Sequence, residues 1–132
     1  MSVGPFEVLT GRILVVDDDV LNQHLLLRML EKHGLMATIA DNGQSAVDSA
    51  LTGSFDVVLM DCQLPVMDGL EATRVIRSRL DGRRLPIVAL TASSEAEDRV
   101  ACAAAGMDDF LAKPVRRAEL YACLKKWLTV SR

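Results

Sequence analysis

The chain has 132 residues, a net charge of −3 and an apolar share of 50%, which suits one domain with its own core. No apolar run approaches the ~18 to 20 residues that a membrane-spanning helix needs, so direct membrane contact is not expected. Neither a basic stretch nor a finger-like metal spacing is present, which argues against nucleic-acid binding. The N-terminal residues lack the order of a secretory signal, which predicts a cytoplasmic protein.

The first predicted strand covers residues 13–16, and Asp19 is a plausible N-cap for a helix over 20–33 that stops at Gly34. One side of that helix would carry its apolar residues, which are Leu21, Leu25, Leu26, Met29 and Leu30. His24 is interpreted as a partly exposed residue of the helix. His33 lies in the last turn, where a cation suits the helix dipole.

The same alternation continues to the middle of the chain. A second strand is predicted at 35–40, and Asp41-Asn42-Gly43 opens a helix that Gly53 closes. A third strand at 55–60 leads through a turn into a helix over about 70–80.

The last third of the chain adds two more strands and two more helices. A strand at 87–90 precedes a helix that starts at a Ser94-x-x-Glu97 capping box and stops at Gly106. A strand at 109–112 and a helix at about 116–128 follow. Residues 1–11 show no period and are interpreted as a linker or edge, which leaves 12–130 as one domain.

Alternating strands and helices indicate βαβ units and an α/β fold with a parallel sheet. The strands are near-continuous apolar runs, as is typical of parallel strands covered on both faces. Three cysteines, Cys62, Cys102 and Cys123, are widely spaced and odd in number. This pattern fits neither a disulfide framework nor a zinc site, so we expect structural cysteines in a reducing compartment.

Four of the predicted strands end in polar residues that suit phosphoryl chemistry: Asp17 with Asp18, Asp61, Thr91 and Lys113. In open α/β sheets the ligand site lies beyond the carboxyl ends of the strands, so these residues should share one cleft. Three carboxylates would repel one another there, and they supply the oxygen ligands that Mg2+ prefers. We therefore expect Mg2+ to bind and to stabilise the native state.

Asp61 is the best candidate for a nucleophile that accepts a phosphoryl group as an acyl phosphate. It stands alone at the end of a central strand, whereas Asp17 and Asp18 are paired across the cleft to hold the metal. Lys113 and the metal would neutralise charge on the transferring group, and Thr91 would donate its hydroxyl to it. Taken singly, these residues are as well explained as a cap, a turn residue and a surface lysine, but their joint occurrence favours a common site.

The motifs, in this order, resemble those of the receiver domains of two-component response regulators. The matching segments are Ile13-Leu14-Val15-Val16-Asp17-Asp18-Asp19, Leu59-Met60-Asp61-Cys62-Gln63-Leu64-Pro65-Val66-Met67-Asp68-Gly69, Leu90-Thr91-Ala92 and Lys113-Pro114. The resemblance covers about residues 11 to 130. It implies a flavodoxin-like (βα)5 three-layer sandwich with a sheet of order 2-1-3-4-5.

The resemblance also implies the function and the metal ligands. Asp61 would be phosphorylated from a histidine of a partner, with self-catalysed phosphorylation and autodephosphorylation. Asp18, Asp61 and the backbone carbonyl of Gln63 would ligate Mg2+, and Asp17 would act through water. The peptide bond between Lys113 and Pro114 would be cis, since X-Pro is the bond where cis costs little.

Further roles follow from the resemblance. Thr91 and Phe110 would be switch residues, and Phe110 stands where tyrosine is frequent, so it can rotate inward without the usual outer hydrogen bond. Gln63 and Ser93 would tune the lifetime of the acyl phosphate.

The sequences of residues 61–69 and 106–114 resemble those of receivers fused to hybrid sensor histidine kinases. The partners would then be the histidine of a kinase and a histidine phosphotransfer domain, with contacts near Asn22, Gln23 and Pro114. A longer parent chain would tether this module to a membrane sensor, and a stand-alone regulator is the alternative. A monomer or weak dimer is expected.

Three other classes of protein share part of this pattern. A haloacid-dehalogenase-like phosphatase also uses a strand-end aspartate, but with Asp-x-Asp at the first strand and usually a cap insertion. A degenerate receiver would bind proteins without being phosphorylated. A flavin-binding flavodoxin is disfavoured because the first strand leads into an acidic loop rather than a phosphate cradle.

Overall fold

The computed structural model describes residues 8–80, 85–92 and 96–130. Within these ranges, five strands alternate with five helices, as the sequence predicts. The elements are β1 (Arg12–Val16), α1 (Val20–Lys32), β2 (Met36–Ala40), α2 (Gly43–Thr52), β3 (Val57–Asp61), α3 (Gly69–Arg79), β4 (Ile87–Thr91), α4 (Ala96–Ala105), β5 (Asp109–Ala112) and α5 (Arg117–Val130).

All five strands are parallel and lie in the order β2-β1-β3-β4-β5, which confirms the predicted flavodoxin-like sheet. The register pairs Val16 with Met60, Asp61 with Leu90, and Thr91 with Ala112. The carboxyl ends of β1, β3, β4 and β5 therefore lie at the same edge of the sheet.

Alternation along the strands divides the interior into two cores. Leu14 and Val16 of β1 face a core completed by α2, α3 and α4. Ile13 and Val15 face the opposite core, which α1 and α5 complete with residues such as Leu30 and Leu124. The three central strands are buried on both faces, which explains why their sequences are apolar without interruption.

Side-chain caps fix where three of the helices begin. The carboxylate of Asp19 accepts a hydrogen bond from Leu21 N at 2.9 Å, as the sequence predicts for α1. Asn42 and Asp68 cap α2 and α3 in the same way. The expected capping residue Ser94 lies outside the described residues. None of the described helices combines the length and apolar character needed to cross a membrane.

The first helix differs from expectation at two points. Leu21 and Leu25 are 65% and 47% exposed, whereas Leu26 and Leu30 are buried, so the apolar stripe is wider than the face that packs on the sheet. His33 caps the end of α1, is 1% exposed and lies 5.0 Å from the Tyr121 ring. Burial, with the charge of Arg117, lowers the pKa of His33, so the expected cation is wrong.

An arginine joins three segments at the end of the sheet away from the strand-end carboxylates. Arg77 on α3 donates to the carbonyl oxygens of Leu85 and Gly106 at 2.6 and 2.9 Å. It also pairs with the Asp108 carboxylate at 2.6 Å, and that carboxylate accepts from Ile87 N. Its fork of donors therefore ties α3 to the start of β4 and to the turn after α4.

Replacing Arg77 should destabilise the domain through these lost bonds. We expect Arg77→Met to lower the free energy of unfolding by about 1 to 3 kcal/mol, because buried acceptors lose a charged donor. Urea denaturation measures the change. Arg79→Met, on the exposed side of the same helix, is the control and should change stability little. Equal losses in the two variants would show that the Arg77 contacts are not the cause.

Candidate functional site

Three carboxylates converge at the carboxyl edge of the sheet. Asp17 and Asp18 follow β1, and Asp61 ends the neighbouring strand β3. One carboxylate oxygen from each lies within 4.8 Å of the others. Asp17 and Asp61 are buried and Asp18 is exposed. We call these three residues the acidic triad.

Lys113 supplies the opposite charge. Its Nζ lies 2.8 Å from Oδ2 of Asp61 and 3.5 Å from Oδ2 of Asp17. Burial by itself would lower the pKa of Lys113, but the hydrogen bond to Asp61 and the charges of Asp61 and Asp17 raise it above its ordinary value. Lys113 therefore remains an ammonium ion at neutral pH and partly neutralises the triad.

Asp17 is held rigidly by its neighbours. Its Oδ1 accepts from Asp19 N at 2.9 Å, its carbonyl oxygen accepts from Gln23 Nε2 at 2.6 Å, and its N–H donates to Ala40 O. Burial raises the pKa of the Asp17 carboxyl more than the Asp19 N–H and Lys113 lower it. Its buried Oδ2 accepts no hydrogen bond within the described part of the chain.

This arrangement fits a hard divalent cation. Oδ2 of Asp17 is buried without a hydrogen bond among the described residues and lies beside two further carboxylates. These oxygens form a partial set of ligands for Mg2+, whose remaining ligands are usually waters. The residues that could hold such an ion are the acidic triad. Gln63, whose backbone carbonyl the resemblance implies as a metal ligand, lies next to the triad, and its N–H donates to Oδ1 of Asp61 at 3.1 Å.

A cavity of about 600 Å³ opens beside Asp61, between the loop after β3 and helix α4. Thr91 lines it from the end of β4, and the exposed Gln63 lines it from the loop. The carbonyl oxygen of Thr91 accepts from Lys113 N at 2.9 Å, which ties β4 to the lysine. The structure thus brings Thr91, Lys113 and the acidic triad to one place. Ser93 lies outside the described residues.

The loop after β3 is packed closely against Asp61. Gly69 N donates to Cys62 O at 3.1 Å, and a Cβ on Gly69 would overlap the carbonyl oxygen of Asp61. Only glycine fits at this close approach, so α3 begins directly behind Asp61. The loop also holds Val66 at φ 71°, a left-handed conformation that is rare for a β-branched residue. No pattern in the sequence indicated that strain.

Phe110 and Pro114 mark two sides of the site. Phe110 on β5 is partly buried, and the guanidinium of Arg99 lies 5.2 Å from its ring centroid. The Lys113–Pro114 bond is cis, as the resemblance implied. Pro114 lines a small pocket of about 50 Å³ with Asn22 and Leu25 of α1.

Two cysteines meet at the cavity, which the sequence did not predict. Sγ of Cys62 lies 3.5 Å from Sγ of Cys102 on α4. Burial first, then Cys102 and the charge of Asp61, raises the pKa of the Cys62 thiol to about 12. Cys102 and Cys123 are buried, as expected of structural cysteines, whereas Cys62 is partly exposed. A separation of 40 positions leaves no local signal for the pairing.

A five-stranded parallel sheet whose ends present an acidic triad, a threonine and a lysine defines a phosphoacceptor class of protein. The model of the response regulator receiver domain family matches residues 13–125. The chain therefore belongs to this family, whose members act in two-component and phosphorelay systems.

Curated relatives of the chain are histidine kinases, and several of them are named as hybrid kinases. The chain is 41% identical to the sensor histidine kinase GacS of Pseudomonas protegens, over 93% of this chain and 14% of that protein. It is 37% identical to hybrid signal transduction histidine kinase B of Dictyostelium discoideum, over 89% of this chain and 7% of that protein. The chain thus spans a small part of the length of these relatives.

Solved structures of receiver domains are similar in fold. The receiver domain of sensor histidine kinase PA1611 from Pseudomonas aeruginosa is 46% identical with a TM-score of 0.85, covering 92% of this chain and 99% of that one. That structure has a magnesium ion coordinated in the active site cleft. The receiver domain of Saccharomyces cerevisiae Ssk1, solved with the histidine phosphotransfer protein Ypd1, is 36% identical with a TM-score of 0.85, covering 90% and 89%. These matches decide against the phosphatase and the flavodoxin.

Neutralising Asp17 should stabilise the protein when divalent cations are absent. Burial holds the pKa of Asp17 in the folded protein above the ordinary value of an aspartate, so ionisation of this group disfavours the folded state as pH rises. Asp17→Asn should therefore raise the free energy of unfolding in EDTA. The gain should be largest at neutral pH and vanish below the unfolded pKa.

The matched control is Asp18→Asn, which removes an exposed charge from the same pair. Urea denaturation of both variants across this pH range measures the difference. A smaller gain for Asp18→Asn is expected, because an exposed carboxylate loses little hydration on folding. A wild type as stable as Asp17→Asn at neutral pH would contradict the account.

Proposed function

We propose that this chain accepts a phosphoryl group on Asp61 from a phosphohistidine and then relays it to a histidine phosphotransfer domain or changes conformation. The observation that carries the proposal is the buried Asp61 carboxylate, which lies 2.8 Å from the Lys113 ammonium within the acidic triad. A carboxylate so placed is a nucleophile with its counter-charge already positioned.

Mg2+ is the cofactor that the site fits. We assign Asp18, Asp61 and the backbone carbonyl of Gln63 as its ligands, with Asp17 acting through water. When bound, the ion would neutralise negative charge on the triad and on the transferred group. The magnesium in the cleft of the PA1611 receiver domain supports this assignment.

The transfer conserves atoms and charge. A carboxylate oxygen of Asp61 forms a bond to phosphorus while the bond from phosphorus to the histidine nitrogen breaks, and its electron pair stays on that nitrogen. Lys113 stabilises negative charge on the phosphoryl oxygens, and the Thr91 hydroxyl donates to one of them. Attack by water later returns phosphate and free Asp61, which is the autodephosphorylation of the receiver. Gln63 and Ser93 would tune its rate.

A small phosphodonor tests the acceptor directly. Incubation with acetyl phosphate and Mg2+ should add one phosphoryl group to the wild type, and Asp61→Asn should gain none. Omitting Mg2+ should abolish the gain, and Lys113→Ala should slow it. Intact mass measures the product, and a thermal melt with and without Mg2+ reports metal binding separately.

Each alternative has its own outcome in this experiment. A degenerate receiver would stay unmodified while folded. Modification that persists in Asp61→Asn would place the acceptor elsewhere. A melt that ignores millimolar Mg2+ would count against the metal site.

The start of α1 is the surface that suits a partner. Val20, Leu21 and Leu25 are exposed apolar residues beside the acidic triad. Leu25 also lines the small pocket with Pro114 and Asn22. Gln23 does not belong to this apolar surface, because its side-chain amide donates to Asp17 O and so helps to hold Asp17 in place. An apolar patch next to a charged cleft suits a helical histidine-bearing protein, whose phosphohistidine would then reach Asp61.

A charge on this patch should slow phosphorylation by a protein donor without affecting phosphorylation by a small donor. Leu21→Glu should slow transfer from a phosphorylated histidine phosphotransfer protein ~10-fold, because docking loses apolar contact. Its reaction with acetyl phosphate should be unchanged. Met36→Glu, equally exposed at the start of β2, is the control and should react normally with both donors. Equal slowing in both variants would place the docking surface elsewhere.

Phosphorylation should switch the face made by α4, β5 and α5. Drawing Thr91 towards the phosphoryl group opens space for the Phe110 ring, which would leave the Arg99 guanidinium and turn inward. A beryllofluoride mimic with Mg2+ should therefore shift amide resonances on that face, and less so in Thr91→Ala. Identical spectra on that face with and without the mimic would contradict the switch.

We further propose that the chain is a module of a hybrid sensor histidine kinase, working in the cytoplasm beneath a membrane sensor. The hybrid kinases among its relatives support this origin. Its partners would be a histidine kinase and a histidine phosphotransfer domain, as the complex of Ssk1 with Ypd1 illustrates for that receiver. We propose a monomer or weak dimer, a boundary at residue 12, and contact with neither nucleic acid nor membrane.

A further inference from the structure

The two cysteines beside the phosphoacceptor join different parts of the fold. Cys62 follows Asp61 in the loop after β3, and Cys102 lies on α4. Their sulfur atoms are 3.5 Å apart. A disulfide bond is about 2.05 Å long, so the pair needs an approach of roughly 1.5 Å to close.

The sulfur atoms are reached from the cavity that also contains Asp61. Both cysteines line it, together with Thr91. Cys62 is partly exposed, whereas Cys102 is 3% exposed. A small reagent that enters the cavity therefore meets Cys62 first and leaves Cys102 to act second.

We propose that Cys62 and Cys102 form a reversible disulfide, with a low-molecular-weight disulfide as the oxidant. The Cys62 thiol first gives up its proton, and its thiolate, which the raised pKa makes scarce at neutral pH, attacks one sulfur of the oxidant. This forms a mixed disulfide and releases one thiol, which takes up the proton. Sulfur of Cys102 then displaces the second thiol and completes the protein disulfide. Two cysteine thiols are oxidised by two electrons, and one small disulfide is reduced to two thiols. In a reducing compartment the pair rests as thiols, so the bond is a response to oxidation rather than a structural link.

The bond would act on α4. Backbone hydrogen bonds fix Cys62, because its N–H donates to Leu90 O and its carbonyl accepts from Gly69 N, each at 3.1 Å. The side chains in the first turn of α4 are exposed at residues 97–100, so the core does not hold this turn in place. Closing the disulfide draws α4 towards the loop and narrows the cavity beside Asp61. If the proposed function holds, this closure should hinder the entry of a small phosphoryl donor such as acetyl phosphate into the cavity.

Cys123 provides the internal control. It lies in the opposite core, and its nearest polar partner is the carboxylate of Asp109 at 3.7 Å. Cys62 and Cys102 both lie in the other core, on the opposite face of the sheet. Cys123→Ser should therefore leave the disulfide intact.

The first experiment maps the bond without reference to phosphorylation. The folded domain is equilibrated with oxidised glutathione, it is then denatured and its free thiols are blocked with N-ethylmaleimide, and intact mass and peptides are measured. The expected product has lost two hydrogens, carries one blocked thiol at Cys123, and yields a linked peptide pair of Cys62 and Cys102. Cys62→Ser and Cys102→Ala should each lack it, and Cys123→Ser should keep it. Glutathione retained on Cys62, or three blocked thiols, would overturn the proposal.

The second experiment measures the consequence. Phosphoryl incorporation from acetyl phosphate should be several-fold slower in the oxidised protein and recover after dithiothreitol. The rate of phosphoryl incorporation into Cys102→Ala should be the same before and after oxidation. The rate for Cys123→Ser should fall on oxidation as it does for the wild type. Equal rates in the two redox forms would overturn the effect on the site. If neither form accepted phosphate, the proposed function would fail, while the peptide map would still decide the disulfide.

Discussion

The ion pair of Lys113 with Asp61 is the interaction on which the site depends. Asp17 is 0% exposed and Asp61 is 5% exposed, and two buried carboxylates this close would repel strongly if they faced no cation. Lys113 comes from the far end of the sheet, two strands beyond Asp61, and its Nζ reaches both carboxylates. One ammonium does not offset three carboxylates. The remaining negative charge favours the binding of a divalent cation.

The backbone around the triad is fixed from both sides of the sheet. Asp17 is tied to β2 through Ala40 and to α1 through Gln23. The residue after Asp61 is tied to β4 and to the start of α3. Charged groups held in this way need little reorganisation when negative charge arrives, which is how a preorganised site favours phosphoryl transfer.

Residue patterns predicted the sheet and the strand-end residues because both depend on local periodicity and on the rule that parallel strands present their carboxyl ends together. They did not predict the exposure of Leu21 and Leu25, since a 3.6-residue period gives the apolar stripe of α1 but not how far the sheet extends beneath it. They placed a cation at His33, because the position in the helix was visible and its burial against α5 was not. The contact of Cys62 with Cys102 depends on how α4 packs on the loop, which no spacing encodes.

The site has two separate openings, and in the proposed mechanism each has its own role in signalling. One opening lies between α1 and Pro114 and contains Asp17, Leu25 and Lys113. The other lies between the β3–α3 loop and α4 and contains Asp61, Thr91 and Cys102. In the proposed mechanism a donor protein docks at the first opening, while Thr91 and α4 respond at the second. Because the two openings use opposite faces of the sheet, a covalent or conformational change at α4 can alter the response without removing the docking surface.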